Sequence, residues 1–300
     1  MNIKNEILRL KREKDVCIIA HSYQTGDILE IADFTGDSYA LSVKAAQTKS
    51  KTILMCGVRF MAETAKILSP DKRVIIANAD AGCPMAEQLT KEDVEALKVK
   101  YPGYAVACYI NTSASLKTVC DICVTSSSAV KILGKYENDN IIFIPDRNLG
   151  SYIKEKLPDK NIILVNGCCP VHAAVTEDEA VAAKKAYPGC PLLVHPECVP
   201  DVLRHADFIG STSEIMNYAV NSDSDAFIIG TELAISQHLQ KALPEKKFYM
   251  LSERLVCPDM KLTALKNVYD ALDGGRLEIV LDAETITKAA KCINEMIRLG

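Results

Sequence analysis

The sequence predicts an α/β fold built from three equivalent units, each with a parallel sheet. Short apolar runs of strand length alternate with helix-length segments along the chain, which is the pattern of βαβ units. Three of these runs also end in a loop that contains Cys-Pro, at Cys83, Cys169 and Cys257, and the cysteines are 86 and 88 residues apart. This period indicates three copies of one unit, each aiming one thiol at a shared centre.

Each unit contains four predicted strands. They cover residues 16–20, 32–36, 52–57 and 73–77 in the first unit, 104–108, 120–124, 141–144 and 161–165 in the second, and 191–194, 206–209, 226–229 and 247–251 in the third. A helix over 6–14 precedes them, and a tail of helix, strand and helix over 263–272, 277–281 and 284–299 follows. We therefore expect units over residues 1–90, 91–173 and 174–261, with 262–300 packing back on the first unit.

The spacing also recurs at positions that are not cysteine. Asp33, Asp121 and Asp207 are 88 and 86 residues apart, and three further sets share these offsets. The sets are His21, Tyr109 and His195; Tyr23, Asn111 and Glu197; and Ser38, Ser126 and Thr212. A chance alignment of strands would not hold one offset at so many positions, so the three units are in register.

Composition excludes several classes of function. Of the 300 residues, 48% are hydrophobic, which is enough for a large core, and the net charge of −4 argues against nucleic-acid binding. No apolar run approaches the ~20 residues of a membrane span, and residues 1–15 lack the apolar segment of a signal peptide. We expect a cytoplasmic protein with no nucleic-acid or membrane partner.

The twelve cysteines favour metal binding over disulfides, because the cytosol keeps thiols reduced. Four of them lie in apolar strand-like runs or on a helical pattern and are expected in the core. These are Cys17, Cys56, Cys108 and Cys292. Cys120 and Cys123 form a C-x-x-C motif, but they do not stand at a helix N-terminus, which disfavours a redox-active pair.

Polar residues collect where the predicted strands end. Ligands of parallel sheets bind outside the carboxyl ends of the strands. Residues two apart on an extended strand point the same way, so each unit is predicted to aim one pair of side chains at the centre. The pairs are His21 with Tyr23, Tyr109 with Asn111, and His195 with Glu197. The side chains of one pair alone could simply hydrogen-bond a neighbouring loop, but three pairs in register favour a common site.

Ser38, Ser126 and Thr212 each follow a short predicted strand and open a helix. Their hydroxyls suit the N-cap position, and helix N-termini also bind anions through free N–H groups. Three such N-termini around one cavity would hold a phosphate or several carboxylates without an arginine cluster. The sequence therefore predicts a small anionic substrate.

The repeated cysteines leave more than one metal open. Together with His172 they could complete a Cys₃His zinc site. Thiolates suit iron–sulfur clusters equally well, and a [4Fe–4S] cluster on three cysteines keeps one exchangeable iron position that can act as a Lewis acid. Cys168 and Cys198 are candidates for a fourth ligand, but neither shares the repeat position.

Several motifs together resemble the quinolinate synthase family, over essentially the whole chain. They are Ala20-His21-Ser22-Tyr23-Gln24, Ala32 through Ser38, Gly57 through Glu63, Pro145-Asp146-Arg147-Asn148-Leu149, Cys169-Pro170-Val171-His172 and His195-Pro196-Glu197-Cys198. The resemblance implies three α/β/α sandwich units related by a pseudo-three-fold axis around a central active site, with a [4Fe–4S] cluster. It also implies an activity in de novo NAD biosynthesis, in which iminoaspartate and dihydroxyacetone phosphate give quinolinate, phosphate and water.

The resemblance also implies individual roles. The cluster ligands would be Cys83, Cys169 and Cys257. The catalytic cavity would be lined by His21, Tyr23, Tyr109, Asn111, His172, His195 and Glu197. The phosphate and the carboxylates would be held by Ser38, Ser126, Ser211 and Thr212. Glu197 is the candidate for proton transfer, and His21 or His195 for oxyanion stabilisation. An L-aspartate oxidase or dehydrogenase would be the partner that supplies iminoaspartate.

The sequence departs from the family pattern beside the site. Cys168 stands where histidine is frequent, Ser22 where asparagine is frequent, and Arg59 where an acidic residue is common. These differences concern fine tuning more than the activity. Two alternatives stay open: another [4Fe–4S]-dependent dehydratase of a small diacid, and a non-catalytic metal or redox sensor.

Overall fold

Three parallel sheets form the framework of the protein. The computed structural model describes residues 2–275 and 277–300, and within these residues each of the three sheets has four strands. The strands are β1 (Val16–His21), β2 (Phe34–Gly36), β3 (Thr52–Cys56), β4 (Arg73–Ile76), β5 (Ala105–Tyr109), β6 (Ile122–Val124), β7 (Asn140–Ile144), β8 (Asn161–Leu164), β9 (Leu192–Val194), β10 (Phe208–Ile209), β11 (Ala226–Gly230) and β12 (Lys247–Met250). Every strand predicted for the three units is present, and the predicted α/β fold is confirmed.

All three sheets share one strand order. The second strand of the unit lies at the edge, followed by the first, the third and the fourth. All pairings between these strands are parallel; Ile19 of β1, for example, pairs with Phe34 on one side and Met55 on the other. Parallel neighbours need a crossover on a face of the sheet, and helices then cover both faces. For this reason β1 and β5 are buried along their whole length.

The helices fall into three groups. The longer helices that lie between strands are α3 (Ser38–Gln47), α4 (Arg59–Leu68), α5 (Lys91–Lys100), α7 (Ala129–Lys135), α8 (Arg147–Lys156), α10 (Glu177–Ala186), α12 (Thr212–Asn221) and α13 (Leu233–Ala242). The single-turn helices are α2 (Gly26–Leu29), α6 (Ala114–Lys117), α9 (Pro170–Ala173), α11 (Pro200–Leu203) and α14 (Pro258–Lys261). The helices outside the repeats are α1 (Ile3–Glu13), α15 (Leu265–Asp273) and α16 (Ala283–Leu299). Together with the sheets they form three α/β/α units.

An aspartate at the same position of each unit joins its first two strands. In the first unit the backbone N–H of Asp33 donates to the carbonyl oxygen of Ile18 at 2.7 Å, and the Asp33 carboxylate accepts the N–H of Ile18 at 2.8 Å. The equivalent pairs are Asp121 with Val106 and Asp207 with Leu192. The aspartates that recur in the sequence therefore mark the point at which each unit hydrogen-bonds its first strand to the start of its second.

The C-terminal tail differs from the prediction at one point. The sequence predicts a strand over 277–281, but the part of the tail that the structure describes contains only an isolated antiparallel bridge between Ile75 and Glu278. The N–H of Ile76 donates to Leu277, and the N–H of Ile279 donates to Val74. The predicted strand is wrong because the segment touches the edge of β4 for too few residues to form a ladder.

The two tail helices contact different parts of the molecule. Helix α15 packs on α1, whereas α16 packs on β6 and α6 and also touches α4. The tail therefore reaches the second unit as well as the first. The unit boundaries inferred from the sequence remain a prediction.

The cysteines expected in the core are confirmed there. Cys17, Cys56, Cys108 and Cys292 are all buried, and so are Cys120 and Cys123 of the C-x-x-C motif. None of the described helices is long and apolar enough to cross a membrane.

A buried lysine anchors the loop after β5. The Lys117 side chain is fully buried, and its Nζ donates to the carbonyl oxygen of Ile110 at 2.8 Å and to that of Thr112. Nζ also lies 5.8 Å from the ring centroid of Phe60. Asn111 lies between the two anchored carbonyl groups and Tyr109 directly precedes them, so Lys117 fixes the backbone that presents two predicted site residues.

We expect Lys117→Met to lower the free energy of unfolding by roughly 1–3 kcal/mol, because two buried carbonyl oxygens lose their donor. Denaturant unfolding of the metal-free protein measures the change. Lys185→Met, on the exposed face of α10, is the control and should stay within about 0.5 kcal/mol of wild type. Equal stabilities of the two variants would contradict the anchoring role.

Candidate active site

One cavity of about 310 Å³ collects residues from the strand ends of all three units. Its volume suits a small ligand. The predicted site residues that line it are His21, Tyr23, Ser38, Cys83, Tyr109, Asn111, Ser126, Cys169, His172, His195, Glu197, Thr212 and Cys257. The structure thus brings the three repeat cysteines, the three strand-end pairs and three of the four hydroxyl residues to one place.

The three cysteines reach the cavity from equivalent loops, after β4, β8 and β12. Cys169 and Cys257 are the N-caps of α9 and α14, whose first residue is proline in both cases. Burial raises the pKa of the Cys83 thiol to about 12 and raises the pKa values of Cys169 and Cys257. The thiols are therefore protonated in the free protein, and a bound metal must displace these protons.

The arrangement of the cysteines bears on the kind of metal. Two thiolates on one zinc ion lie at most about 4.6 Å apart, twice the Zn–S bond length. Within residues 2–275 and 277–300, the one group of three metal-capable side chains whose ligand atoms all lie within 4.8 Å of one another is Cys169, His172 and Glu197. Cys83 and Cys257 stand outside that group. The three repeat cysteines are therefore not placed for a single zinc ion, whereas a larger group could lie between them.

Glu197 is the buried carboxylate of the site. Its Oε2 lies 2.8 Å from Nδ1 of His172. Burial alone would raise the pKa of Glu197, but the positive charges that His195 and His172 carry when protonated, together with the hydrogen bond to His172, outweigh burial and lower the pKa to about 2. Glu197 is therefore an anion at neutral pH.

His21 and His195 occupy equivalent positions and make the same hydrogen bond. Nδ1 of His21 accepts the backbone N–H of Tyr23 at 3.1 Å, and Nδ1 of His195 accepts that of Glu197 at 3.3 Å. Burial lowers the pKa of each ring to about 4, so both are neutral at pH 7. A neutral ring that accepts at Nδ1 carries its proton on Nε2. Each histidine thus offers one N–H donor from Nε2.

Hydroxyl groups connect Tyr23 to His172. The Tyr23 hydroxyl lies 2.9 Å from Oγ1 of Thr212 and 3.0 Å from Oγ1 of Thr231. Nε2 of His172 lies 3.2 Å from the same Thr231 oxygen. Burial, with the charge of Glu197, raises the pKa of Tyr23 well above its ordinary value. The phenol therefore stays protonated and remains a hydrogen-bond donor.

None of the three hydroxyl residues at the repeat position is an N-cap. Ser38 and Thr212 are the first residues of α3 and α12, whose N-caps are Asp37 and Ser211. Ser126 lies before the first turn of α7. The N-cap assignment is therefore wrong for Ser38, Ser126 and Thr212, because the preceding residue caps α3 and α12 and because α7 begins later. Their hydroxyls are not used in capping.

Ser211 has a different place from the other three hydroxyl residues. It does not belong to the cavity lining, and its Oγ accepts the N–H of Glu214 at 3.3 Å in a capping box of α12. Ser211 therefore contributes to the site indirectly, by capping the helix whose first residue is Thr212.

Sequence reasoning missed several polar residues at the cavity. Asp37, Glu232 and Arg254 line it, and Thr231 bridges two lining side chains. Glu232 is fully buried, and its Oε1 lies 2.9 Å from Nζ of Lys261. The repeat offset could have found Glu232, because it is 86 residues after the Asp146 that caps α8. No sequence signal marks the Thr231 bridge.

Comparison with known proteins identifies the family of the chain. A sequence profile of the family described as NadA, quinolinate synthetase A protein, matches residues 5–298. The chain is 48% identical over 298 residues to a quinolinate synthase of Caldicellulosiruptor bescii, covering 99% of this chain and 98% of the relative. It is 48% identical over 295 residues to one of Clostridium kluyveri, covering 98% and 97%, and 46% identical over 300 residues to one of Clostridium perfringens, covering all of both chains. The chain therefore belongs to the quinolinate synthetase A protein family.

Proposed function

We propose that this protein is a quinolinate synthase that holds a [4Fe–4S] cluster on Cys83, Cys169 and Cys257. The reaction condenses iminoaspartate with dihydroxyacetone phosphate and releases quinolinate, phosphate and water. The observation that carries the proposal is the meeting of one thiol from each unit on a cavity that also contains Glu197 and two neutral histidines. The full-length relatives named quinolinate synthase support the same activity.

The donor set fits the proposed cofactor. Three soft sulfur donors arrive from three separate loops, and they are not all close enough together for one zinc ion. When bound, a cluster held by three cysteines supplies a Lewis-acidic iron with an open coordination position. Nδ1 of His172 lies 3.3 Å from Sγ of Cys169, so His172 contacts one of the proposed cluster ligands directly.

The cavity offers two kinds of group for anionic substrates. The hydroxyls of Ser38, Ser126 and Thr212 are donors, and α3 and α12 begin at the cavity, where free backbone N–H groups favour negative charge. These groups would bind the phosphate and the carboxylates. They orient both substrates without a buried arginine.

Enolisation of dihydroxyacetone phosphate needs a base, and Glu197 is the group we assign to it. Its carboxylate is an anion in the free protein. An anionic substrate raises the pKa of a neighbouring carboxylate, so the base becomes stronger when the cavity is filled. A carboxylate oxygen of Glu197 would take the proton, while His172 Nδ1 at 2.8 Å holds the carboxylate in place.

The two neutral histidines and the two tyrosines would stabilise developing negative charge. Nε2–H of His21 and of His195 can donate to an enolate oxygen without a proton transfer. The hydroxyls of Tyr23 and Tyr109 stay protonated, because burial raises the pKa of both well above the ordinary value. They would hydrogen-bond a carbonyl or a departing hydroxyl.

The reaction needs a source of iminoaspartate. An L-aspartate oxidase or dehydrogenase is the partner that we propose for this step. All twelve cysteines are free thiols in the structure, which fits a reducing compartment such as the cytoplasm.

We expect the protein prepared without air to contain about four iron and about four sulfide per chain. Cys83→Ser, Cys169→Ser and Cys257→Ser should each lose most of this iron, since serine replaces a soft donor. Metal and sulfide analysis with electronic absorption measures the content. Cys190→Ser is the matched control and should keep the cluster, because Cys190 does not line the cavity. Stoichiometric zinc without sulfide in the wild type would refute the cofactor assignment.

Glu197→Gln should retain the iron and sulfide content but lower kcat for quinolinate formation by about 100-fold or more, because the amide cannot take a proton. An anaerobic product assay measures the rate. Glu245→Gln, an exposed site outside the cavity, should behave as wild type. A Glu197→Gln enzyme with near wild-type turnover would remove Glu197 from proton transfer.

A further inference from the structure

Two buried carboxylates occupy one repeat position next to the cysteine loops. Val58, Asp146 and Glu232 are 88 and 86 residues apart, and each follows the third strand of its sheet. Asp146 and Glu232 are both fully buried and cap α8 and α13. Buried carboxylates need hydrogen-bond partners, so the partners of these two indicate what they hold in place.

Each carboxylate joins a helix start to a cysteine loop. In the second unit Oδ1 of Asp146 accepts the N–H of Leu149 at 2.7 Å, and Oδ2 accepts the N–H of Cys169 at 2.8 Å. In the third unit Oε2 of Glu232 accepts the N–H of Ala234 at 2.9 Å, and Oε1 accepts the N–H of Cys257 at 3.4 Å. One oxygen thus caps the helix, and the other holds the backbone of a cysteine.

Glu232 also connects the Cys257 loop to the backbone of Tyr23, through Lys261. Its Oε1 pairs with Nζ of Lys261 at 2.9 Å, and the same Nζ donates to the carbonyl oxygen of Tyr23. The lysine compensates the buried charge. The cysteine loop of the third unit and the tyrosine of the first are therefore held by one ion pair.

In the first unit a different carboxylate accepts the N–H of the cysteine. Val58 has no side-chain acceptor, and the N–H of Cys83 instead donates to Oε1 of Glu87, four residues later, at 3.3 Å. All three repeat cysteines thus have their backbone N–H accepted by a carboxylate. Two of these acceptors are the buried N-cap residues of helices, and one comes from the cysteine's own loop.

We propose that Asp146 and Glu232 are positioning residues that hold the loops of Cys169 and Cys257 ready for the cluster. The inference rests on the cluster of the proposed function. A cysteine whose backbone is fixed before metal arrives needs no ordering when it binds, which favours retention of the metal. Loss of the acceptor leaves a cysteine N–H without its partner and frees the loop.

The test compares Asp146→Asn and Glu232→Gln with wild type and with Asp282→Asn. Asp282 caps α16 but hydrogen-bonds no cysteine, so it controls for the loss of a helix cap. Each protein is reconstituted with ferrous iron and sulfide, and the rate of iron release to a chelator is measured without air. We expect release to be about 10-fold faster or more for Asp146→Asn and Glu232→Gln, and unchanged for Asp282→Asn.

Wild-type release rates in both variants would overturn the inference while leaving the cluster assignment intact. A wild-type protein that takes up no cluster would overturn the proposed function and this inference with it. Amide hydrogen exchange on metal-free wild type gives a second test that needs no variant to fold. The N–H groups of Cys169 and Cys257 should exchange slowly, and exchange at the rate of an open loop would contradict preformed loops.

Discussion

The site depends on the geometric constraint that the carboxyl ends of three separate parallel sheets face one cavity. His21 ends β1, Tyr109 ends β5, and His195 directly follows β9, so the first strand of each unit supplies equivalent side chains. The fourth strand of each unit leads to a cysteine loop in the same way. A residue from one unit cannot build the site alone, because Glu197, Tyr23 and the cysteines come from different sheets. The site therefore forms only if the three units pack so that the carboxyl ends of their sheets keep facing the same cavity.

The second feature that organises the site is its distribution of charge. Burial keeps His21 and His195 neutral at pH 7, while the pKa of Glu197 is low and its Oε2 lies 2.8 Å from Nδ1 of His172. His21 and His195 can then donate hydrogen bonds from Nε2, while Glu197 stays free to accept a proton from the substrate. The hydroxyls and helix starts at the cavity are the groups that we propose for the substrate anions, since the guanidinium of Arg254, which also lines the cavity, is exposed.

The strands and their register could be predicted because they depend on local patterns, namely apolar runs and repeated offsets. The gathering of the site residues in one cavity could be predicted for the same reason. Other features depend on tertiary contacts that leave no local mark. The segment after α15 lies on the edge of β4 without forming a strand, and the late start of α7 places Ser126 outside the helix. The proton on Nε2 of His21 follows from a backbone N–H two residues away, and Thr231 bridges side chains of different units. The carboxylates of Asp146 and Glu232 share a register that the sequence contains, but their contact with the cysteines requires the fold.

Mössbauer spectroscopy of protein loaded with isotopically enriched iron tests the central claim most directly. If one thiol from each unit holds the cluster and the remaining position faces the cavity, one iron is distinguishable from the other three, and only that iron changes when quinolinate is added. Four equivalent irons that do not respond to quinolinate would contradict the account, since the cavity would then contain no open metal position.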